Sequence, residues 1–245
     1  MASVQNGSLY SNGINIELVK EENFEVNPIQ IQKTIPLGSK NSNNGGIIGY
    51  LMYNQFVADK SVFLNQAFAD FKTQGITDLI LDLRYNGGGS VKNCVELASM
   101  ITGQFTNEIF AEEQWNNKLL TYLRTRFGKE TLINRFPGAI FNGDGINSLN
   151  LNRVFVITTS ETASASELLI NGLASYIDVI HVGERTVGKN VGSITVYDYV
   201  DNDQTKNPDH TYAMQPIVLK IANNDGYADY ADGLEPDTFI EEDIR

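Results

Sequence analysis

The sequence predicts an α/β domain built from βαβ units, and three observations carry that prediction. Short apolar runs recur at Ile47–Tyr53, Leu79–Leu83 and Val154–Ile157. Segments with helical apolar spacing alternate with them. Glycines or small residues mark most of the joins, as strand–helix alternation in a largely parallel sheet requires.

Taken in order, residues 1–45 are rich in Asn, Ser and Gly and form an extended N-terminal segment. Ile14–Val19 and Ile29–Ile31 alternate like exposed strands, and Ser39–Gly46 is a loop by composition. The apolar run Ile47–Tyr53 is a buried strand. Val62, Phe63, Ala67, Phe68 and Phe71 share one helical face, which Gly75 closes. Leu79–Leu83 is the second buried strand, and Val91–Ile101 reads as a helix. Residues 113–135 read as one or two helices around Trp115, Leu119, Tyr122 and Leu123. A loop follows over Pro137–Ser148. Then come a strand at Val154–Ile157, a helix at Ser164–Ala174, a strand at Val179–Val182, and late strands at Ile194–Tyr199 and Met214–Ile221.

Composition narrows the function classes. Net charge is −12, and most of it lies in residues 201–245, a surface that repels phosphate backbones, so nucleic acid is not expected as a partner. No apolar run approaches the ~18 residues needed to span a bilayer. The first residues hold neither a basic stretch nor an apolar run, so no signal peptide is expected among them. Cys94 is the only cysteine, which excludes an intrachain disulfide.

Three segments carry chemistry. Ser164, in Glu161-Thr-Ala-Ser-Ala-Ser-Glu167, follows a strand and opens a helix. Backbone N–H groups at a helix start have no intrahelical acceptor. The N–H of Ala165 can therefore face an oxyanion formed when Ser164 attacks a carbonyl, a donor worth ~3–4 kcal/mol in the transition state. Ser164 taken alone reads more readily as a helix cap, since Ser and Thr are preferred there. Lys189 lies 25 residues on, among Val187, Gly188, Val191 and Gly192. Serine needs a base, and apolar surroundings disfavour the lysine cation and so provide one. Gly87-Gly88-Gly89 follows the strand ending at Leu83 and permits close backbone approach. Together these are the parts of a Ser/Lys acyl-transfer site, which needs no metal and no cofactor.

Other readings fit less well. Gly183-Glu-Arg-Thr-Val-Gly-Lys189 nearly spells a phosphate-binding loop. Asn190, however, stands where Ser or Thr would hold magnesium, and the following residues read as a strand, not the required helix. The stretch around Asn223–Gly226 fails the calcium-loop spacing. His181 and His210 sit in no metal-ligand or triad spacing.

With these motifs in this order, the chain resembles the carboxyl-terminal processing (tail-specific) serine peptidases, from about Ile47 to the C-terminus. The asparagine- and tyrosine-rich style is similar to Bacteroidetes-type envelope members. The resemblance implies a crotonase-like fold, residues 46–245 as the catalytic domain, polypeptide substrates and a periplasmic or envelope setting. It implies Ser164 as nucleophile, Lys189 as general base, and the N–H groups of Gly88 and Ala165 as oxyanion donors. Glu167 matches the glutamate three residues after the nucleophile.

Two positions depart from the family pattern. The glutamine many members carry four residues after the lysine is Ser193 here, and the aspartate some carry eleven after the nucleophile is Ser175. The third catalytic partner is thus left open between Ser193 and another residue. Members usually hold a PDZ domain that captures the substrate's C-terminus. Residues 1–45 are too short for one and match its trailing end or the linker after it. Two rivals remain on the same fold: a non-catalytic ligand-binding module, and acyl-CoA chemistry. Neither requires the Ser164–Lys189 interval.

Overall fold

The computed structural model describes residues 26–38, 45–202 and 204–243. Ahead of these it describes a hairpin, β1 (Ala2–Gln5) with β2 (Ser8–Ser11), and a few isolated positions. The strand expected at Ile14–Val19 and the loop at Ser39–Gly46 fall largely outside the described residues.

Six strands form the main sheet. In chain order they are β3 (Ile29–Pro36), β4 (Ile47–Tyr53), β5 (Asp78–Asp82), β8 (Arg153–Thr158), β9 (Asp178–Gly183) and β14 (Thr238–Phe239). Between β5 and β8 the chain also forms β6 (Ile109–Trp115) and β7 (Ile133–Arg135). Across the sheet the order is β14-β9-β8-β5-β4-β3, parallel throughout except for β3. The βαβ prediction therefore holds. Ile29–Ile31, expected as an exposed strand within the N-terminal linker, open the antiparallel edge strand β3, which pairs with β4 from Ile29–Tyr53 to Pro36–Ile47 with a register shift between Ile29 and Ile31.

Helices α1 (Ser61–Gln74), α2 (Val91–Thr102) and α4 (Ala165–Ala174) pack on one face of this sheet. Leu79, Leu81, Val154 and Val156 point into that layer and are fully buried against Phe68, Phe71, Leu97, Met100 and Leu169. On the other pleat Ile80, Phe155 and Ile157 are only half-buried. Apolar side chains two residues apart share a sheet face, so this one-sided cover follows from the strand period.

The reading of 113–135 as helices needs correction. β6 runs into Trp115, α3 occupies Asn117–Phe127, and a short 3-10 turn at Lys129–Leu132 leads into β7. β6 carries Glu112 and Glu113, residues depleted in strands, and lacks clean alternation. Pairing with β13 (Ile217–Asn223) overrides that preference. The late strands are likewise broken up, into β10 (Val191–Ser193), β11 (Val196–Tyr197), β12 (Ala213–Met214) and β13. The result is a second, antiparallel sheet ordered β10-β13-β6-β7, with β11 and β12 paired separately. No helix among the described residues is long and apolar enough to cross a membrane.

Candidate active site

The site forms where β5 and β8 end side by side. After β5 the chain turns through Asn86, which is fully buried and bonded at every polar position. Its amide donates to the Tyr53 carbonyl (2.8 Å), and its own carbonyl accepts from Ala163 N (3.1 Å) and Ser166 Oγ (2.9 Å). One asparagine thus ties β4, the glycine turn and the serine turn together. No motif assigns it a role; its place between an apolar strand and three glycines is the available signal.

Gly88 lies against the serine turn with φ +99°. A Cβ built there would stand 2.6 Å from Ser164 Cβ, 2.7 Å from Ala163 O and 2.8 Å from Ala165 N. Only glycine permits both that conformation and that approach. The N–H of Gly88 donates to Asn86 Oδ1 at 2.9 Å, so this expected oxyanion donor is engaged within its own turn. The N–H of Ala165, at the first turn of α4, has no intrahelical acceptor.

Ser164 adopts φ +59°, ψ −113°, a conformation an L-residue holds only at a cost of about 1–3 kcal/mol. The turn around it is braced. Thr159 Oγ1 donates to Arg84 O, and Thr162 Oγ1 donates to Leu83 O (2.9 Å) while accepting from Thr159 N (3.0 Å). Cys94, fully buried, donates its thiol to Ala165 O (3.3 Å), and burial pushes the thiol pKa up, which keeps it protonated.

Glu167 is the centre of the arrangement. Its side chain is fully buried, yet both oxygens are satisfied. Oε2 accepts from Ser164 N (2.7 Å) and Lys189 N (2.9 Å), and Oε1 accepts from Thr186 Oγ1 (2.6 Å) and Gly188 N (2.5 Å). One carboxylate therefore caps α4 and fastens the lysine loop to the serine turn.

Ser164 and Lys189 line one small cavity of about 20 Å³, walled by Val91, Leu168, Val191 and Ile221. No hydrogen bond joins Ser164 Oγ to Lys189 Nζ, and the Lys189 side chain is exposed, not enclosed by its apolar neighbours. Glu167 holds the loop by its backbone N–H groups, which leaves the side chain free to point outward. Ser193 is also exposed. It sits at a register shift after Gly192 and does not line the cavity. Asn190 and Tyr230 do line it, and neither had a motif to announce it.

The remaining candidates lie elsewhere. The stretch after Lys189 is β10, a strand, so the geometry of a phosphate-binding loop opening a helix is absent. His181 is buried in the sheet, its ring nitrogen 2.6 Å from Thr158 Oγ1, and burial lowers its pKa. His210 is paired with Asp198 at 3.3 Å. Neither lines the cavity. Among the described residues no group of three or more His, Cys, Asp or Glu is gathered as a metal centre needs.

The model of the family described as Peptidase family S41 matches residues 47–238. The chloroplastic C-terminal processing peptidase of Tetradesmus obliquus is 28% identical over 58% of this chain and 26% of its own length. A protein of Staphylococcus epidermidis described as a CtpA-like serine protease is 24% identical over 93% of this chain and 41% of its own. The chain thus spans less than half the length of these curated relatives. Among solved structures, one described as an S41 protease from Bacteroides fragilis superposes with TM-score 0.72 at 27% identity, covering 90% of this chain and 52% of that one. The photosystem II D1 C-terminal processing protease gives TM-score 0.59 at 22% identity, over 90% and 50% of the two chains, a likeness of fold.

Proposed function

Because the chain belongs to peptidase family S41, whose model matches residues 47–238, we propose that it hydrolyses peptide bonds in polypeptide substrates through an acyl-enzyme on Ser164. The observation that carries this reading is the strained Ser164 at the start of α4, sharing one cavity with Lys189. Strain of this kind clusters at reacting groups.

Ser164 Oγ attacks the substrate carbonyl while the Lys189 amine takes the hydroxyl proton. Lys189 reaches that hydroxyl by turning its exposed side chain into the shared cavity. The tetrahedral oxyanion is held by Ala165 N–H and by Gly88 N–H, the latter released as the Asn86 side chain gives up its bond. Lys189 passes the proton to the leaving amine, the acyl-enzyme forms, and a water activated by the same amine hydrolyses it. No step calls for a metal or cofactor. A PDZ domain that captures the substrate's C-terminus, and a place in the cell envelope, belong to the same proposal.

A fluorophosphonate probe and casein test this reading. We expect the probe to label Ser164, located by peptide mass spectrometry, and casein to be cut, with no turnover of an acyl-CoA panel. Thioester hydrolysis without casein cleavage, or no labelling at Ser164, would overturn it.

Gly88→Ala tests the contact between the two turns. The added methyl and the positive φ force the glycine turn and Ser164 apart. Displacement of about 1 Å at a reacting centre costs roughly 10²-fold in rate. We expect a loss of at least that size in casein cleavage, with a lowered Tm. Wild-type activity in this variant would show that the close approach is not part of the working site.

A further inference from the structure

We propose that Tyr230 is the positioning residue of Lys189: its hydroxyl accepts a hydrogen bond from Nζ when the lysine turns into the cavity. This inference rests on the Ser164/Lys189 reading above.

A neutral lysine amine has one lone pair and two N–H bonds. To take the serine proton, the lone pair must face Ser164 Oγ, so the N–H groups must be directed elsewhere. An acceptor inside the cavity fixes that orientation. The candidates can be taken in turn. Glu167 is close, but its two oxygens already accept from four donors. Asn190 donates Nδ2 to Ala228 O at 2.6 Å, which anchors that side chain and leaves Oδ1 as the rival acceptor that an unchanged kcat in Tyr230→Phe would favour. Ser193 is exposed and outside the cavity. Tyr230 lines the cavity with Ser164 and Lys189, is 3% exposed, and its hydroxyl makes no hydrogen bond among the described residues. The phenol is left without a protein partner, and Lys189 turned into the cavity supplies one.

The backbone supports the same pairing. The Tyr230 segment is fastened to the lysine loop on both sides. Asn190 Nδ2 holds Ala228 O before it, and after it Leu234 N donates to Thr186 Oγ1 (2.8 Å) while Thr186 N donates to Leu234 O (3.2 Å). Gly188 packs directly against Ala231 and Gly233. Lys189 and Tyr230 therefore ride on one frame, and their separation does not depend on distant parts of the chain. Burial raises the tyrosine pKa, and the nearby Glu167 charge adds to that. The phenol thus stays neutral and serves as acceptor without changing charge during the reaction.

Tyr230→Phe tests this, because it removes one oxygen that makes no hydrogen bond in the structure and leaves the ring in place. We expect kcat for a casein-derived peptide to fall about 10- to 100-fold, with KM within twofold and Tm within a few degrees. On a Lys189→Ala background the same change should add nothing to the loss in fluorophosphonate labelling rate, since the hydroxyl acts only through that amine. Wild-type labelling that is lost in Ser164→Ala establishes the nucleophile independently. With that in hand, an unchanged kcat in Tyr230→Phe would overturn the tyrosine assignment and leave the dyad standing. A matched fall in Tm, or a loss that multiplies on the Lys189→Ala background, would reduce Tyr230 to a packing role and also overturn it. Equal labelling of wild type and Ser164→Ala would remove the dyad itself.

Discussion

Ser164→Ala and Lys189→Ala should each lower kcat/KM for peptide hydrolysis by at least about 10³-fold, and the double variant should be little worse than either alone. A nucleophile and its base act as one unit: once either is gone, the other has nothing to do. Independent contributions would multiply instead. Folding should survive both changes, because Ser164 Oγ and Lys189 Nζ have no hydrogen bond to each other to lose, and Lys189 is exposed. Tm and far-UV circular dichroism check that point. Ser166→Ala separates the two serines of the motif. Ser166 Oγ donates to Asn86 O at 2.9 Å and is fully buried, so its loss costs about 1 kcal/mol of stability and little activity. Full activity in Ser164→Ala would end the assignment; loss of labelling in Ser166→Ala with Ser164 intact would transfer it.

Glu167→Ala is expected to have the largest effect on the folded site. Removing the carboxylate strands the Thr186 hydroxyl and the N–H groups of Ser164, Gly188 and Lys189 together. Each buried donor left unpaired costs about 1–3 kcal/mol, but the half-exposed ones recover water. The net loss should be roughly 2–4 kcal/mol. For a chain of this size that is a drop of roughly 4–16 °C in Tm. Peptide hydrolysis should vanish with it, since the serine turn and the lysine loop lose their shared fastening. Glu167→Gln should rescue little: all four partners are donors, and a carboxamide presents its own NH₂ to at least one of them. A Tm within 2 °C of wild type for Glu167→Ala would mean that this carboxylate is not what joins the loops.

Much of the molecule follows from local sequence. The runs at Ile47–Tyr53, Leu79–Leu83 and Val154–Ile157 became adjacent parallel strands because each is short, apolar and bounded by turn residues. The helices at 61–74, 91–102 and 165–174 follow from apolar spacing that survives without knowledge of neighbours. The parts proposed as catalytic are nearest-neighbour patterns too: Ser164 at a strand-to-helix turn, the glycines at 87–89 and the lysine loop. β6 was not legible, because its glutamates argue against a strand until β13 pairs with it.

The sequence by itself therefore determined the main parallel strands and their helices, and which residue types could react. Only the tertiary structure decided how those residues face one another. Apolar neighbours along the chain suggested an enclosed Lys189, but side-chain direction depends on what holds the backbone, and here that is Glu167, more than twenty residues away in sequence. The occupation of the Gly88 N–H by Asn86, the exclusion of Ser193 from the cavity and the arrival of Tyr230 from near the C-terminus are decisions of the same kind. Propensity and periodicity act over a few residues, whereas hydrogen-bond partners and cavity walls are set by contacts between distant segments, and no local pattern encodes them.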